Sequence, residues 1–288
     1  VGIDCFTDYY PRPLKETNLQ TARRHAAFSL VEGQIEAMDL SPVLDDVTHV
    51  FHLAAQAGVR KSWGRDFSVY TTNNIEATQR LLEACVGRRL ERLVYASSSS
   101  VYGDEAAIPM REDALPRPVS PYGVTKLAAE QLCHLYHVNY GVPAVSMRYF
   151  TVYGPRQRPD MAFRRFFEAV RDGREISLYG DGGQTRDFTF VGDAVTATAL
   201  AGTRGVPGRV YNIGGGSRVS LTHVIELIGR ITGQPVNVHQ EPTQKGDMRD
   251  TYADTTLATQ DLGFRPSVRL EDGLAAEWAW LTGGSAAR

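Results

Sequence analysis

An apolar run that ends in four serines stands at Leu93-Val94-Tyr95-Ala96-Ser97-Ser98-Ser99-Ser100. A second stretch, Ser120-Pro121-Tyr122-Gly123-Val124-Thr125-Lys126, follows after a loop. The first is typical of a buried strand that delivers hydroxyl groups at its carboxyl end. The second lies at the start of a helix predicted over Pro121 to Tyr140. On that helix Tyr122 and Lys126 share one face, since residues i and i+4 are neighbours.

These residue types suit proton transfer to or from an alcohol. A phenol has a pKa of about 10 and is a poor base at neutral pH, but an ammonium group beside it stabilises the phenolate. A serine within reach can bond the oxygen whose proton moves. Ser98, Tyr122 and Lys126 are therefore the candidate catalytic residues for taking a proton from a sugar or alcohol hydroxyl while a hydride leaves the carbon. A Tyr-x-x-x-Lys pair alone also occurs on ordinary solvated helix faces, so the serines before it carry much of the argument.

With these motifs the chain resembles the extended short-chain dehydrogenase/reductase family, in its sugar-nucleotide epimerase/dehydratase branch, over nearly its whole length. The resemblance implies an α/β fold: a Rossmann-like doubly wound parallel sheet, with its first strand absent, and a smaller C-terminal α/β substrate domain. Residues 1–150 would form the NAD-binding domain, which would also take in about 184–213. Residues 151–288 would mainly bind the sugar nucleotide.

The expected cofactor is NAD. The run Val1-Gly2-Ile3-Asp4 reads as a strand that ends in an acid, and an acid at the end of the second strand of a dinucleotide-binding fold bonds the ribose hydroxyls. Asp4 would thus select NAD over NADP; the alternative is an ordinary turn residue. The family resemblance adds further cofactor-binding residues: Asp39 and Leu40 near the adenine, Leu53, Ala54 and Ala55 after a buried strand predicted over Thr48 to Ala55, Asn74 on a helix predicted over Tyr70 to Val86, and Tyr122 and Lys126.

The family's glycine-rich strand-turn-helix, which should precede Asp4 and hold the pyrophosphate, is not found in this sequence. The later clusters Gly180-Asp181-Gly182-Gly183 and Gly214-Gly215-Gly216 do not lie between a first strand and a helix. We therefore expect the sequence to be a fragment of a longer protein, with an apolar gap where the central strand would lie. Coding sequence upstream of Val1 should contain the missing segment.

The residues after Ser98 favour an acidic sugar. In the family, 4,6-dehydratases carry an Asp-Glu pair there and UDP-glucuronate decarboxylases carry a Glu, whereas this chain has Ser99 and Ser100. Thr151 and Arg158, in a segment similar to that of UDP-glucuronate 4-epimerases, add a hydroxyl and a positive charge that a carboxylate would need. The resemblance further implies that the segment of Tyr179 lines the uracil, that Arg186 contacts the diphosphate, and that Arg249 contacts phosphate or ribose.

Three functions remain open from the sequence. The first is NAD-dependent epimerisation at C4 of a UDP-sugar, UDP-glucuronate to UDP-galacturonate, through a 4-keto intermediate. The second, on the same fold, is a UDP-glucose 4-epimerase or another sugar-nucleotide oxidoreductase. The third belongs to a different class, an inactive fragment that binds a sugar nucleotide.

Composition limits the partners and the compartment. A formal net charge of −2 over 288 residues gives no general attraction for nucleic acid or an anionic membrane. No apolar run approaches the ~20 residues of a membrane span. Three cysteines in no recognisable framework fit a reduced, cytoplasmic setting. His134 and His137 lack a third ligand nearby, so no metal is predicted. The resemblance implies a homodimer, and Gly283 to Arg288 are expected to be frayed.

Overall fold

The computed structural model describes residues 1–283; residues 284–288, and with them nearly all of the segment expected to be frayed, lie outside the described range. The strands are β1 (Gly2–Asp4), β2 (Leu30–Glu32), β3 (His49–His52), β4 (Arg92–Ser98), β5 (Ala144–Tyr149), β6 (Val152–Tyr153), β7 (Ile176–Tyr179), β8 (Thr185–Asp187), β9 (Thr189–Phe190), β10 (Val210–Ile213), β11 (Arg218–Ser220) and β12 (Val238–Glu241). The α-helices are α1 (Arg12–Arg23), α2 (Ser41–Leu44), α3 (Phe67–Tyr70), α4 (Ala77–Cys85), α5 (Pro121–Tyr140), α6 (Ala162–Arg171), α7 (Val191–Arg204), α8 (Leu221–Thr232), α9 (Thr256–Leu262) and α10 (Leu270–Leu281).

A four-stranded parallel sheet lies at the centre, in the order β10-β5-β4-β3. Successive side chains of a strand point to opposite faces. On β4, Leu93 and Tyr95 accordingly pack into a core with α4 and α5, whereas Val94 packs into a second core with α7 and α9. Helices thus cover both faces of a parallel sheet, which confirms the predicted doubly wound α/β fold.

The strand β3 departs from its prediction as a fully buried strand over Thr48 to Ala55. It is four residues long, and Phe51 and Leu53 are 46% and 58% exposed. The reason is its position: among the described strands β3 pairs only with β4, while β1 and β2 form a separate parallel pair. Apolar surface is therefore exposed beside the sheet.

The helix predicted over Tyr70 to Val86 is found, but it is not regular. The α-helix α3 continues into a π-helical segment, Thr71–Glu76, and then into α4. π-Helical turns inside α-helices often mark functional sites. The predicted helix Pro121 to Tyr140 is found with the same bounds as α5.

The C-terminal part has a core of its own, in which α6, α8 and α10 pack around β7. Its buried side chains include Tyr153, Phe163, Phe167, Ile228 and Leu274. The loop that leads from β5 into this region passes the carboxyl end of the central sheet. Within residues 1–283, no helix is both long and apolar enough to span a membrane.

Candidate active site

The start of α5 lies against the serine turn because of the glycine that follows Tyr122. A Cβ at Gly123 would stand 2.5 Å from the carbonyl oxygen of Ser100, a distance that no side chain tolerates. The hydroxyl of Ser120 caps the helix by accepting a hydrogen bond from the amide of Gly123 at 3.1 Å. Capping and close approach together place the first turn of α5 beside the end of β4.

Tyr122 and Lys126 thereby meet Ser98. Tyr122 and Ser98 line the same cavity, and an interaction with Ser98 lowers the pKa of Tyr122. The hydroxyl of Ser98 accepts a hydrogen bond from the amide of Ser100 at 3.2 Å. Lys126 is only 3% exposed, one turn farther along the helix. The three residues that the sequence proposed as catalytic therefore line one cavity.

The electrostatics of this group involve a cation from outside α5. Burial raises the pKa of Tyr122, while its interaction with Ser98 and the positive charge of Arg158 lower it. Lys126 was expected to be the cation that favours the phenolate, and this role stays a prediction. Its Nζ lies 4.7 Å from the ring centroid of Tyr95, and burial lowers the pKa of Lys126 to about 8. Arg158 thus supplies a positive charge that lowers the pKa of Tyr122.

A single large cavity, about 780 Å³, runs from β1 along the carboxyl ends of β3 and β4 to the start of α5. Ligands bind outside the carboxyl ends of the strands in open α/β sheets. The predicted site residues that line this cavity are Asp4, Leu53, Ala54, Ala55, Ser98, Ser99, Ser100, Tyr122, Lys126, Thr151 and Arg158.

At the β1 end, Asp4 ends the strand and lines the cavity, with Oδ1 accepting a hydrogen bond from the amide of Phe6 at 2.6 Å. Asp39 and Leu40 do not line it. The carboxylate of Asp39 accepts a hydrogen bond from the amide of Ser41 at 2.9 Å, and Leu40 is buried in the core beneath α4. Gly33, Ile35 and Glu36 form the wall there instead.

Asn74 was expected to bind the cofactor, but its side-chain amide is hydrogen-bonded to other residues of the protein. It is buried, and its Oδ1 accepts a hydrogen bond from the amide of Gln56 at 2.7 Å. Its Nδ2 donates to the carbonyl of Gln56 at 3.0 Å and to Thr125 Oγ1 at 2.9 Å. The side chain therefore ties the turn after Ala55 to α5 and shapes the cavity wall without lining it.

At the far end of the same cavity, Arg158 forms a two-pronged pair with Asp160, through Nε at 2.9 Å and Nη2 at 3.0 Å. The phenol of Tyr9 donates a hydrogen bond to Asp160 Oδ2 at 3.1 Å. The backbone of Thr151 is fixed by the hydrogen bond from the amide of Thr189 to its carbonyl at 2.9 Å. Neither Tyr9 nor Asp160 was predicted as a site residue, because the two lie far apart in the chain.

The remaining predicted residues form a separate group outside this cavity. We call it the distal cluster; it consists of the predicted Tyr179, Arg186 and Arg249 together with Arg60 and Arg165, which lie beside Tyr179. The guanidinium of Arg60 lies 4.1 Å from the ring centroid of Tyr179, and that of Arg165 lies 5.9 Å from it. Arg60 also pairs with Asp247 at 2.7 Å. Cations and an aromatic ring from α6, β7, β8 and two other segments are thus gathered in one place.

Arg186 is the most enclosed cation of the distal cluster. It donates hydrogen bonds to the carbonyls of Met248 and Arg249, the latter at 2.8 Å. Burial lowers the pKa of Arg186, which the nearby Asp247 and Asp250 oppose. Arg249 is more exposed and pairs with Asp181 at 3.1 Å. Arg186 therefore holds the loop that carries Arg249.

The side chain of His52, at the end of β3, is engaged within the protein. His52 is buried, its Nε2 is 2.9 Å from Thr78 Oγ1, and burial lowers its pKa to about 3. Within the described residues, no group of three or more His, Cys, Asp and Glu side chains is arranged to hold a metal ion.

Residues 13–214 match the model of the NAD dependent epimerase/dehydratase family. The chain belongs to this family. A Bacillus subtilis member named as the uncharacterized UDP-glucose epimerase YtcB is 42% identical over 283 residues, which cover 98% of this chain and 89% of that protein. A probable UDP-glucuronate 4-epimerase of Rhizobium meliloti is 35% identical over 97% of this chain and 89% of its own length.

Comparison with solved structures also finds a member of this family. The crystal structure of the UDP-glucuronic acid 4-epimerase from Bacillus cereus, in complex with UDP-glucuronic acid and NAD, superposes with a TM-score of 0.95. It is 43% identical and covers 98% of this chain and 90% of its own. Similarity at this level extends over both the sheet and the C-terminal core.

Proposed function

We propose that this member of the epimerase/dehydratase family is an NAD-dependent UDP-glucuronate 4-epimerase, which interconverts UDP-glucuronate and UDP-galacturonate. One observation carries the proposal: Ser98, Tyr122 and the cation Arg158 line the same cavity. An acid–base group and an anchor for a carboxylate thus lie within reach of one sugar ring. The Bacillus cereus relative, which is named for this activity, supports the assignment.

The residues present fit NAD. Asp4 offers a carboxylate at the end of β1 that can accept hydrogen bonds from ribose hydroxyls and would repel a 2′-phosphate. Ala54 and Ala55 are small and exposed, so a ligand can approach the backbone after β3 closely. When bound, NAD would accept the hydride from C4 and return it to the other face of the 4-keto sugar. We propose no direct contact for Asp39, Leu40 or Asn74, whose side chains are occupied or buried elsewhere.

Tyr122 moves the proton in this proposal. Its phenolate takes the proton of the C4 hydroxyl and returns it when the C4 carbonyl is reduced, while Ser98 bonds the same oxygen. Burial raises the pKa of Tyr122, so the phenolate depends on the opposing effects of Ser98 and Arg158. Lys126, packed on Tyr95, would position the nicotinamide ribose and the first turn of α5.

The sugar carboxylate would lie between Arg158 and the hydroxyls of Ser99, Ser100 and Thr151, all of which face the cavity. A charge-assisted hydrogen bond from a guanidinium is about twice as strong as a neutral one, which favours a uronic acid over a neutral sugar. The UDP group would extend to the distal cluster, with uracil near Tyr179 and the phosphates near Arg186 and Arg249.

We further propose a homodimer in the cytoplasm. On α5, Val124, Leu135 and Val138 are 47%, 51% and 64% exposed, and their spacing places them on one helix face. This face would pack against its copy in a second subunit. A Leu135→Glu variant should then be monomeric in sedimentation, and a dimer that survives it would exclude this face. We keep the division into an NAD-binding domain (1–150 with about 184–213) and a sugar-nucleotide domain (151–288) as part of the proposal.

Purified protein supplied with NAD should convert UDP-glucuronate into a mixture of UDP-glucuronate and UDP-galacturonate, separated by anion-exchange chromatography and identified by proton NMR. The same mixture should form from UDP-galacturonate. The relative named as a UDP-glucose epimerase makes UDP-glucose the second candidate substrate. Turnover of UDP-glucose without turnover of the uronate would replace the first assignment by the second, and binding without turnover of either would leave a sugar-nucleotide-binding protein.

A further inference from the structure

The guanidinium of Arg158 is held by one edge only. Its Nε and Nη2 donate to the two carboxylate oxygens of Asp160 at 2.9 and 3.0 Å, and Nη2 also lies 3.4 Å from the sulfur of Met161. Within residues 1–283, no hydrogen-bond acceptor or carboxylate is found for Nη1. A guanidinium fixed through one edge keeps the donors of the other nitrogen in a defined direction.

Asp160 is itself restrained, by Tyr9. The phenol of Tyr9 donates to Asp160 Oδ2 at 3.1 Å. Burial and the charge of Asp160 raise the pKa of Tyr9, so it stays a protonated donor at neutral pH. Although burial alone would raise the pKa of Asp160, its hydrogen bonds from Arg158 outweigh this and lower the pKa, so it stays a carboxylate.

The position of Tyr9 is also defined. A Cβ at Gly58 would stand 2.5 Å from the phenol oxygen of Tyr9, so only glycine leaves room for it. Gly58 has φ +106°, a backbone conformation that glycine adopts without strain. The loop after β3, the loop after β1 and the loop before α6 therefore meet at the Tyr9–Asp160 contact.

The two members of the ion pair face different spaces. Arg158 lines the large cavity with Ser99, Ser100 and Thr151, whereas Asp160 does not. Asp160 instead lines a second cavity of about 550 Å³, beside α6. Of the two charged groups, only Arg158 thus lines the large cavity. A negative group in the large cavity would meet the positive side of the pair first.

We infer that Asp160, fixed by Tyr9, is a positioning residue that sets the specificity for an acidic sugar by holding Arg158 with Nη1 directed into the large cavity. This inference rests on the proposed function and deepens it. Asp160 has two opposing effects on substrate binding. Its negative charge weakens the attraction between Arg158 and a substrate carboxylate. Its hydrogen bonds strengthen binding, because they hold the long side chain of Arg158, which would otherwise lose much conformational freedom when the substrate binds. Because Asp160 faces away from the large cavity, the orientation is the larger effect.

The test compares kcat/KM for UDP-glucuronate with kcat/KM for UDP-glucose in the NAD-loaded wild type, Asp160→Asn and Tyr9→Phe. We expect the ratio to fall about tenfold or more in Asp160→Asn, the scale of a charge-assisted hydrogen bond, and by a smaller factor in Tyr9→Phe. The loss should lie mainly in KM for the uronate. A general structural defect would lower both substrates alike and leave the ratio unchanged.

Asp172→Asn is the matched control. Asp172 also accepts a two-pronged pair from an arginine, Arg171, but it lies at the exposed end of α6 and lines neither cavity. Its ratio should equal that of the wild type. Suppose that the wild type prefers the uronate and that the ratio is unchanged or raised in Asp160→Asn. This result would overturn the inference about Asp160 but not the assigned substrate. A wild type without any preference would overturn the assigned substrate as well.

Discussion

The proposed catalytic group, which is Ser98, Tyr122 and Lys126, and the distal cluster are built in different ways. Ser98 and Tyr122 stand on the end of β4 and the first turn of α5, and Lys126 lies one turn later in the buried core. The distal cluster is assembled from segments that are remote in the chain, with Arg60 against Tyr179 of β7 and Arg186 of β8 against the carbonyls of Met248 and Arg249. One strand and one helix thus hold the proposed reacting groups, while several distant segments surround the proposed nucleotide.

This difference predicts that substitutions in the two regions affect different kinetic constants. Substitutions in the catalytic group should lower kcat, because the reacting oxygen meets them in the transition state. Substitutions in the distal cluster should raise KM and leave kcat nearly unchanged, because the nucleotide does not change during the reaction.

The largest effect is expected from Tyr122→Phe. Removal of a general acid–base group typically costs about 10²–10⁴-fold in rate, and kcat for UDP-glucuronate should fall in that range. Circular dichroism and the thermal midpoint serve as controls for folding, since the phenol contacts Tyr70 edge-on and the ring is kept. Unchanged turnover in a folded variant would exclude Tyr122 as the base.

Arg158→Gln should have the next largest effect, because Arg158 acts on Tyr122 and would also bind the sugar carboxylate. Its charge lowers the pKa of Tyr122; without the charge that pKa rises, so the basic form of Tyr122 appears only at higher pH. The acidic limb of the pH profile of kcat should therefore move to higher pH, and kcat/KM for the uronate should fall by about tenfold or more. An acidic limb that stays in place would show that Arg158 does not act on Tyr122.

In the distal cluster, Arg186→Ala should raise KM by about tenfold while kcat changes little, because a guanidinium that also fixes the loop of Arg249 is lost. Binding of UDP alone, measured by titration calorimetry, should weaken by a similar factor. A fall in kcat with unchanged UDP affinity would place Arg186 in the chemistry and contradict the predicted difference between the two regions.

The smallest effect is expected from Arg249→Ala. Its pair with Asp181 is exposed on both sides, and exposed ion pairs contribute little to stability, about 0–1 kcal/mol. UDP affinity should weaken by less than in Arg186→Ala, and the thermal midpoint should barely change. A larger loss of affinity than in Arg186→Ala would reverse the order of the two arginines.

The same contrast explains what the sequence could predict. The doubly wound sheet and the meeting of Ser98 with Tyr122 follow from local patterns: a strand that ends in serines, and residues spaced by one helical turn. The exposure of β3 did not follow, because burial depends on the neighbours of a strand. Asn74 could be placed by family resemblance, but its hydrogen bonds to Gln56 and Thr125 depend on the packing of three elements.

The Tyr9–Asp160 contact shows most clearly what could not be predicted from the sequence. Its partners are separated by 151 positions in the chain, and neither lies in a pattern that indicates the other. The role of Lys126 as the cation beside the phenolate stays a prediction. Spacing places Lys126 on the correct helix face, but only the structure shows its ammonium on Tyr95 and the guanidinium of Arg158 acting on Tyr122.

The central claim is that one cavity joins the acid–base pair to an anchor for a sugar carboxylate. A competition assay tests it most directly: NAD-loaded wild type with equal concentrations of UDP-glucuronate and UDP-glucose in one tube, and the C4 epimer of each followed by NMR. The product ratio then equals the ratio of the two kcat/KM values. The account predicts that UDP-galacturonate forms at least about tenfold faster than UDP-galactose. Equal rates, or faster formation of UDP-galactose, would contradict it.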